Sequence, residues 1–209
     1  MEFGKNFQID TSDIQKKFEH FKKTLNDPSG VFTKTMSDMQ RRAPGKVADA
    51  VRGVYSIKKS DIMPSKIKRD LKQAGMIKVR GRTVEDLAIY YEGRVLTPLH
   101  FGMTPKIPPK KGKKYSIKVK IKKQRKTVSY PTKEGKFPFI APARKSSLRF
   151  IPWLRDADGE ITPMKTLSLP QMVDNETARN IMNQTLGELL HERFNHHMKR
   201  CLKESVKSP

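Results

Sequence analysis

The sequence predicts an α+β fold: an antiparallel β-sheet with helices on its N-terminal side and one long helix closing the chain. Three observations carry this prediction. Apolar residues recur at helical spacing through the first third of the chain, alternate strictly with polar ones around Tyr115–Lys122, and return to helical spacing from about Pro170 to Lys203.

The elements follow in order. In TSDIQKKFEHFKKTLNDPSG, Ile14, Phe18, Phe21 and Leu25 keep a helical repeat, Ser12 and Gln15 have capping-box spacing, and Asn26-Asp27-Pro28 with Gly30 stops the segment. A second helix is expected over about Val31–Arg42, from Val31, Phe32, Met36 and Met39, and a third after Pro44, through Val47, Ala50, Val51, Val54 and Tyr55. In TVEDLAIYYEGRVLTPLHFG, β-rich runs flank the turn signal Glu92-Gly93, so strands are expected near Thr83–Tyr91 and Arg94–Phe101, with Pro98 marking an edge or bulge. Next, Tyr115, Ile117, Val119 and Ile121 alternate with Ser116, Lys118, Lys120 and Lys122, the period of a strand with one face in a core and one in solvent. KTVSY reads as its return strand, followed by FPFIA and LRFIPWL, and all are expected in one antiparallel sheet. RDADGEITPMKTLSLPQMVDN is rich in turn residues. The final helix carries Ile181, Met182, Leu186, Leu189, Leu190, Phe194, Met198 and Leu202 on a broad apolar stripe, which calls for a large partner surface, either the sheet or another subunit. Leu186, Leu189, Leu190, Phe194 and Met198 are therefore candidate subunit-interface residues. The expected organisation is a helical extension over residues 1–30 and a single α+β domain over residues 31–209.

A chain of 209 residues and 24.0 kDa has the size of one ordinary domain with peripheral helices. Its net charge of +23 is regional: Gly93–Arg149 holds 17 basic residues against one acid, Glu134, and Gly93–Lys133 holds no acid at all. Charge so concentrated implies a polyanion, an acidic protein or neighbours in an assembly. The single cysteine, Cys201, precludes an internal disulfide and suits a reducing cytoplasm. No apolar run approaches membrane-spanning length, and MEFGKNFQID lacks the features of a signal peptide, so no membrane partner is expected. The glycine-rich phosphate-cradling patterns of nucleotide enzymes are missing.

Three groups invite catalytic or metal readings. HERFNHH begins like a zinc-protease motif, but the residue four after His191 is Asn195, and His196 and His197 fall five and six residues on, where a helix turns them away. Cys201 has no local motif supplying a base or an oxyanion site. Glu85 and Asp86, beside Arg80–Arg82, are adjacent on an expected strand and so point to opposite faces. No catalytic residue, metal or cofactor is expected. The basic stretch supplies the candidate contact residues, Lys110, Lys111, Lys113, Lys114, Lys118, Lys120, Lys122, Lys123, Arg125 and Lys126, facing DNA or an acidic partner. Lysines on an exposed strand face also oppose unwanted strand pairing, which explains the alternation equally well, and because the charge signal is unspecific that plainer reading is favoured.

The order RRAPGKVADAVRGVYSIKKSDI, YYEGRVLTPLHFG, a lysine-rich strand pair, FIA, LRFIPWL, LSLPQMV and LGELLHERFNHHMKRCL resembles the minor tail protein Z family of phages and prophages. The residues that carry the resemblance are Tyr55, Ile57, Lys58, Asp61 and Ile62; Arg94, Pro98, Leu99 and Phe101; Phe139–Ala141; Arg149–Pro152; and Leu169–Met172. It covers most of Arg41–Leu202. Each motif is short, and their shared order is the specific part. The chain departs from the pattern in Ile151-Pro152-Trp153, where Pro-Ile is usual, in an insertion around Asp156–Thr166, and in the helix over Ser12–Asn26. The resemblance implies a non-enzymatic virion protein of the tail or neck, put together in the bacterial host cytoplasm. It would act in tail completion and head-to-tail joining, as a homo-oligomeric ring with other tail and neck proteins, in contact with packaged DNA. The rival expectation, resting on net charge alone, is a non-specific nucleic-acid-binding protein.

Overall fold

The computed structural model describes residues 11–23, 25, 27–63, 76–81, 87–110, 115–130, 137–143 and 150–207. In chain order they form α1 (Ser12–Phe21), α2 (Pro28–Val54), α3 (Lys59–Ile62), β1 (Met76–Arg80), β2 (Ala88–Glu92), a 3-10 helix (Pro98–Phe101), β3 (Ile117–Val119), β4 (Val128–Tyr130), β5 (Phe137–Pro142), β6 (Phe150–Arg155), β7 (Ile161–Pro163), α4 (Leu169–Val173) and α5 (Glu176–Lys207). The fold is α+β, with N-terminal helices, small antiparallel sheets and a long C-terminal helix, as the sequence predicts. The chain divides into two compact units, one drawing on Met1–Ala50, Met76–Glu92 and Asn175–Pro209, the other on Val51–Gly75 and Gly93–Asp174.

The first unit is built on helices. α1 ends at Phe21, several residues before the expected stop, and its N-cap residue Thr11 makes no side-chain capping hydrogen bond. The Asp27-Pro28-Ser29-Gly30 cluster begins the next helix: Asp27 Oδ1 accepts from the Gly30 N–H at 2.8 Å and from the Ser29 hydroxyl at 3.1 Å. Those bonds, the backbone one foremost, hold the Asp27 carboxyl below its usual pKa. A Cβ on Gly30 would lie 1.7 Å from Asp27 Oδ2, so a larger residue there would push the Asp27 carboxylate aside. Pro44 does not divide α2, contrary to the expected break. It removes one donor and crowds the preceding turn at a cost of about 3 kcal/mol. Val31, Met36, Met39, Ala43, Val47 and Val51 nonetheless form one buried stripe across that point, and burying it outweighs the lost bond. Phe32 ties the helices together, with ring centroids 4.2 Å from Phe18 on α1 and 5.6 Å from Phe194 on α5. β1 pairs antiparallel with β2, Met76 opposite Glu92 and Arg80 opposite Ala88.

That pairing corrects the expected hairpin about Glu92-Gly93. Residues 94–101 are not a strand: Val95 bridges Ser168, Leu96 donates to Leu167 O at 3.1 Å and accepts from Thr166 N–H at 2.7 Å, and Pro98 opens the 3-10 helix. Gly102 ends that helix at φ 68°, a left-handed conformation that suits glycine. Among the described residues the single sheet expected from the sequence is likewise three sheets, β1–β2, β3–β4 and β5–β6–β7. Proline withdraws N–H groups from the ladders, and Pro138, Pro142, Pro152 and Pro163 all lie within these strands. In the second unit the buried side chains include Tyr55, Ile57, Ile62, Leu96, Phe101, Met103, Ile117, Val119, Leu169 and Met172.

The predicted C-terminal helix is two. α4 starts with a complete capping box: the Ser168 hydroxyl accepts from Gln171 N–H, and Gln171 Oε1 accepts from Ser168 N–H at 2.8 Å. It stops at Asp174, and α5 starts afresh where Asn175 Oδ1 accepts from Ala178 N–H at 3.4 Å.

Candidate cationic interface

β3 and β4 pair with Ile117 opposite Tyr130 and Val119 opposite Val128, so residues 120–127 form the end of this hairpin. Five of those eight residues, Lys120, Lys122, Lys123, Arg125 and Lys126, are cationic. The alternation along β3 does divide core from solvent: Ile117 and Val119 are buried and Lys118 is exposed between them. The pattern weakens at both ends. Ile121 is half-buried, and Tyr115 is 36% exposed, its hydroxyl accepting from the Ile140 N–H at 3.0 Å.

The hairpin is held on both flanks. Lys118 exchanges two backbone hydrogen bonds with Thr104, at 2.8 and 2.9 Å. At the hairpin end, Ser56 N–H donates to Ile121 O at 2.9 Å and Lys123 N–H donates to Val54 O at 3.0 Å, with Tyr55 and Lys122 facing each other. The Lys122 ammonium lies 5.7 Å from the Tyr55 ring centroid and is half-buried, so this cation is committed within the chain. Burial pushes the Tyr55 phenol up in pKa, with the Arg125 charge working against it. Lys110, Lys118, Lys120, Lys123, Arg125 and Lys126 are exposed, and no carboxylate among the described residues pairs with them. Lys111, Lys113 and Lys114 lie outside the described residues.

The other expected sites fare differently. Leu186, Leu189, Leu190, Phe194 and Met198, offered as a subunit interface, are each at most 5% exposed within the single chain. These five side chains are covered within the chain, as the Phe32–Phe194 contact illustrates, whereas Ile181 on the same stripe is 38% exposed. Among the described residues no group of histidine, cysteine or carboxylate side chains has the arrangement to hold a metal ion. Glu85 and Asp86 lie outside the described residues. Cys201 is buried, its thiol 3.7 Å from Asp27 O.

One polar cluster had no signal in the sequence. Asp38 on α2 sits 3.1 Å from His197 Nε2 and 4.0 Å from Arg193 Nη1, both on α5, and also accepts from Arg41. The carboxylate is 9% exposed and the two α5 side chains 11% and 14%. Burial pulls the Asp38 pKa up, but the hydrogen bonds and charges of Arg41 and His197 outweigh it and leave the carboxyl below its usual value. A second pair, His100 Nδ1 and Asp61 Oδ2 at 3.3 Å, joins the 3-10 helix to α3.

No protein-family model, curated protein or solved structure matches the chain.

Proposed function

We propose that this protein is a structural subunit of a phage or prophage tail or neck, acting in tail completion and head-to-tail joining as a ring around the DNA channel. The observation that carries the reading is that several of the segments behind the family resemblance, far apart in sequence, meet within one compact unit, while the closing helix belongs to the other. The Tyr55–Ile62 motif meets the Arg94–Phe101 motif through Asp61 and His100. The Arg94–Phe101 motif meets Leu169–Met172 through the Val95–Ser168 bridge and the Leu96 hydrogen bonds. Phe139–Ala141 on β5 is opposite Ile151–Trp153 on β6, and Tyr55 faces Lys122 of the lysine-rich pair. A motif order that is also a set of mutual contacts supports a shared architecture better than short matches do singly.

On this reading the protein does no chemistry, and it carries an exposed cationic hairpin end toward its partners. Inactivating the gene in the phage or prophage that carries it should yield filled heads and separate tails by negative-stain electron microscopy, with joining restored by the gene in trans. Normal yields of joined particles without the protein would refute the proposal. The rival, a free nucleic-acid-binding protein, is separated by size-exclusion chromatography at low and high salt. A ring persists as a discrete multimer, whereas nucleic-acid carryover falls away as salt rises.

A further inference from the structure

We infer that the pinned hairpin end grips the phosphate backbone of duplex DNA through Lys118, Lys120, Lys123, Arg125 and Lys126, without reading base sequence. The inference deepens the tail-assembly reading, and rests on it for where the DNA is met.

Three features point to this ligand. First, the cations are held ready. The main-chain bonds from Ile121 and Lys123 to Val54–Ser56, and from Lys118 to Thr104, fix the backbone from which the side chains project. A fixed backbone lowers the ordering cost that a floppy basic loop pays on binding. Second, the charge is uncompensated. Lys122 is spent on Tyr55, but the five cations named are exposed with no carboxylate partner among the described residues. Each phosphate neutralised by such a group releases condensed counterions, which is the dominant source of sequence-independent affinity.

Third, the residue types favour a phosphate backbone over an acidic protein. Protein interfaces are depleted in lysine and enriched in aromatic residues and arginine, and this set is four lysines to one arginine. Single-strand binders need stacking rings beside the charge, but residues 120–127 contain no aromatic residue and the neighbouring Tyr55 is 2% exposed. Duplex DNA asks only for spaced positive charge.

The test uses the full-length protein and a fluorescein-labelled mixed-sequence duplex, with affinity followed by anisotropy across a salt series. Log K should fall linearly with log salt. Lys118→Gln, Lys120→Gln and Lys123→Gln together should lessen the slope by about 2.7, three lost phosphate contacts at about 0.9 each. The exposed lysines Lys16, Lys17 and Lys46 of the other unit serve as the control, and their replacement by Gln should leave the slope unchanged. An unchanged slope in the hairpin variant, or an equal loss in the control, overturns the inference. So does tighter binding to poly-glutamate, which would indicate an acidic protein partner, or to a single strand of the same sequence. In particles the two readings part company. A hairpin variant that loses the salt slope but still joins heads to tails leaves the DNA contact standing and removes its role in joining. One that keeps the slope but fails to join sinks the DNA contact and leaves the tail role intact.

Discussion

Replacing Asp38 by Ala tests how α2 is locked against α5. The carboxylate, 9% exposed, accepts from Arg41 and from His197 Nε2 at 3.1 Å, with Arg193 Nη1 at 4.0 Å. Its removal takes the carboxylate partner from His197 and leaves Arg193 only Glu192, while Arg193 Nε and His197 Nδ1 are already buried with no hydrogen-bond partner among the described residues. Breaking a fully buried ion pair costs about 3–5 kcal/mol by leaving a charge uncompensated. With roughly a tenth of each α5 side chain still reaching water, about 3 kcal/mol is the appropriate figure. For a chain of this size that lowers Tm by about 6–12 °C. Differential scanning calorimetry at neutral pH measures it, with Glu19→Ala, which breaks only an exposed 3.5 Å pair with Lys22, as the reference. The pH dependence adds an independent check. Because the folded-state pKa of Asp38 is depressed, its contribution is fully present above the unfolded carboxylate value of about 3.9 and is lost as pH falls through the folded value. The gap between wild type and Asp38→Asn should therefore close as pH falls below the unfolded carboxylate value. A neutral-pH loss within about 0.5 kcal/mol for Asp38→Ala would refute the buried-lock reasoning.

Two further outcomes are expected. Val119, 1% exposed on β3, should not tolerate Asp: burying an unpaired carboxylate there costs about 3 kcal/mol or more, whereas Lys120→Asp should stay within about 0.5 kcal/mol, and equal losses in urea melts would contradict the two-faced strand. Phe194→Ala should destabilise the isolated chain by about 3–5 kcal/mol in the same melts, since the ring is 1% exposed and packs on Phe32; weakened assembly with unchanged monomer stability would restore the docking-face expectation.

Local periodicity sufficed wherever one segment's own pattern set its fate. The β3 alternation, the KTVSY return strand, the FPFIA and LRFIPWL strands and a long final helix were all legible in the sequence, because side-chain period follows directly from backbone geometry. The concentration of positive charge in Gly93–Arg149 was legible too, since charge needs no fold to be counted. Partnership was decided elsewhere. Whether Pro44 breaks a helix depends on how much apolar surface lies buried on either side of it, and whether Phe194 faces a neighbour or the chain's own core depends on Phe32 of α2 reaching it. Asp38 and His197 stand 159 residues apart, and no spacing rule joins them. The cationic hairpin shows both sides: its lysines are written in the sequence, but Lys122 was withdrawn from the set and the rest were fixed in place by Val54–Ser56, a segment over sixty residues earlier in the chain. Sequence determines what each segment offers, and long-range packing decides which offers are taken, because burial energy is shared between segments that the linear pattern keeps apart.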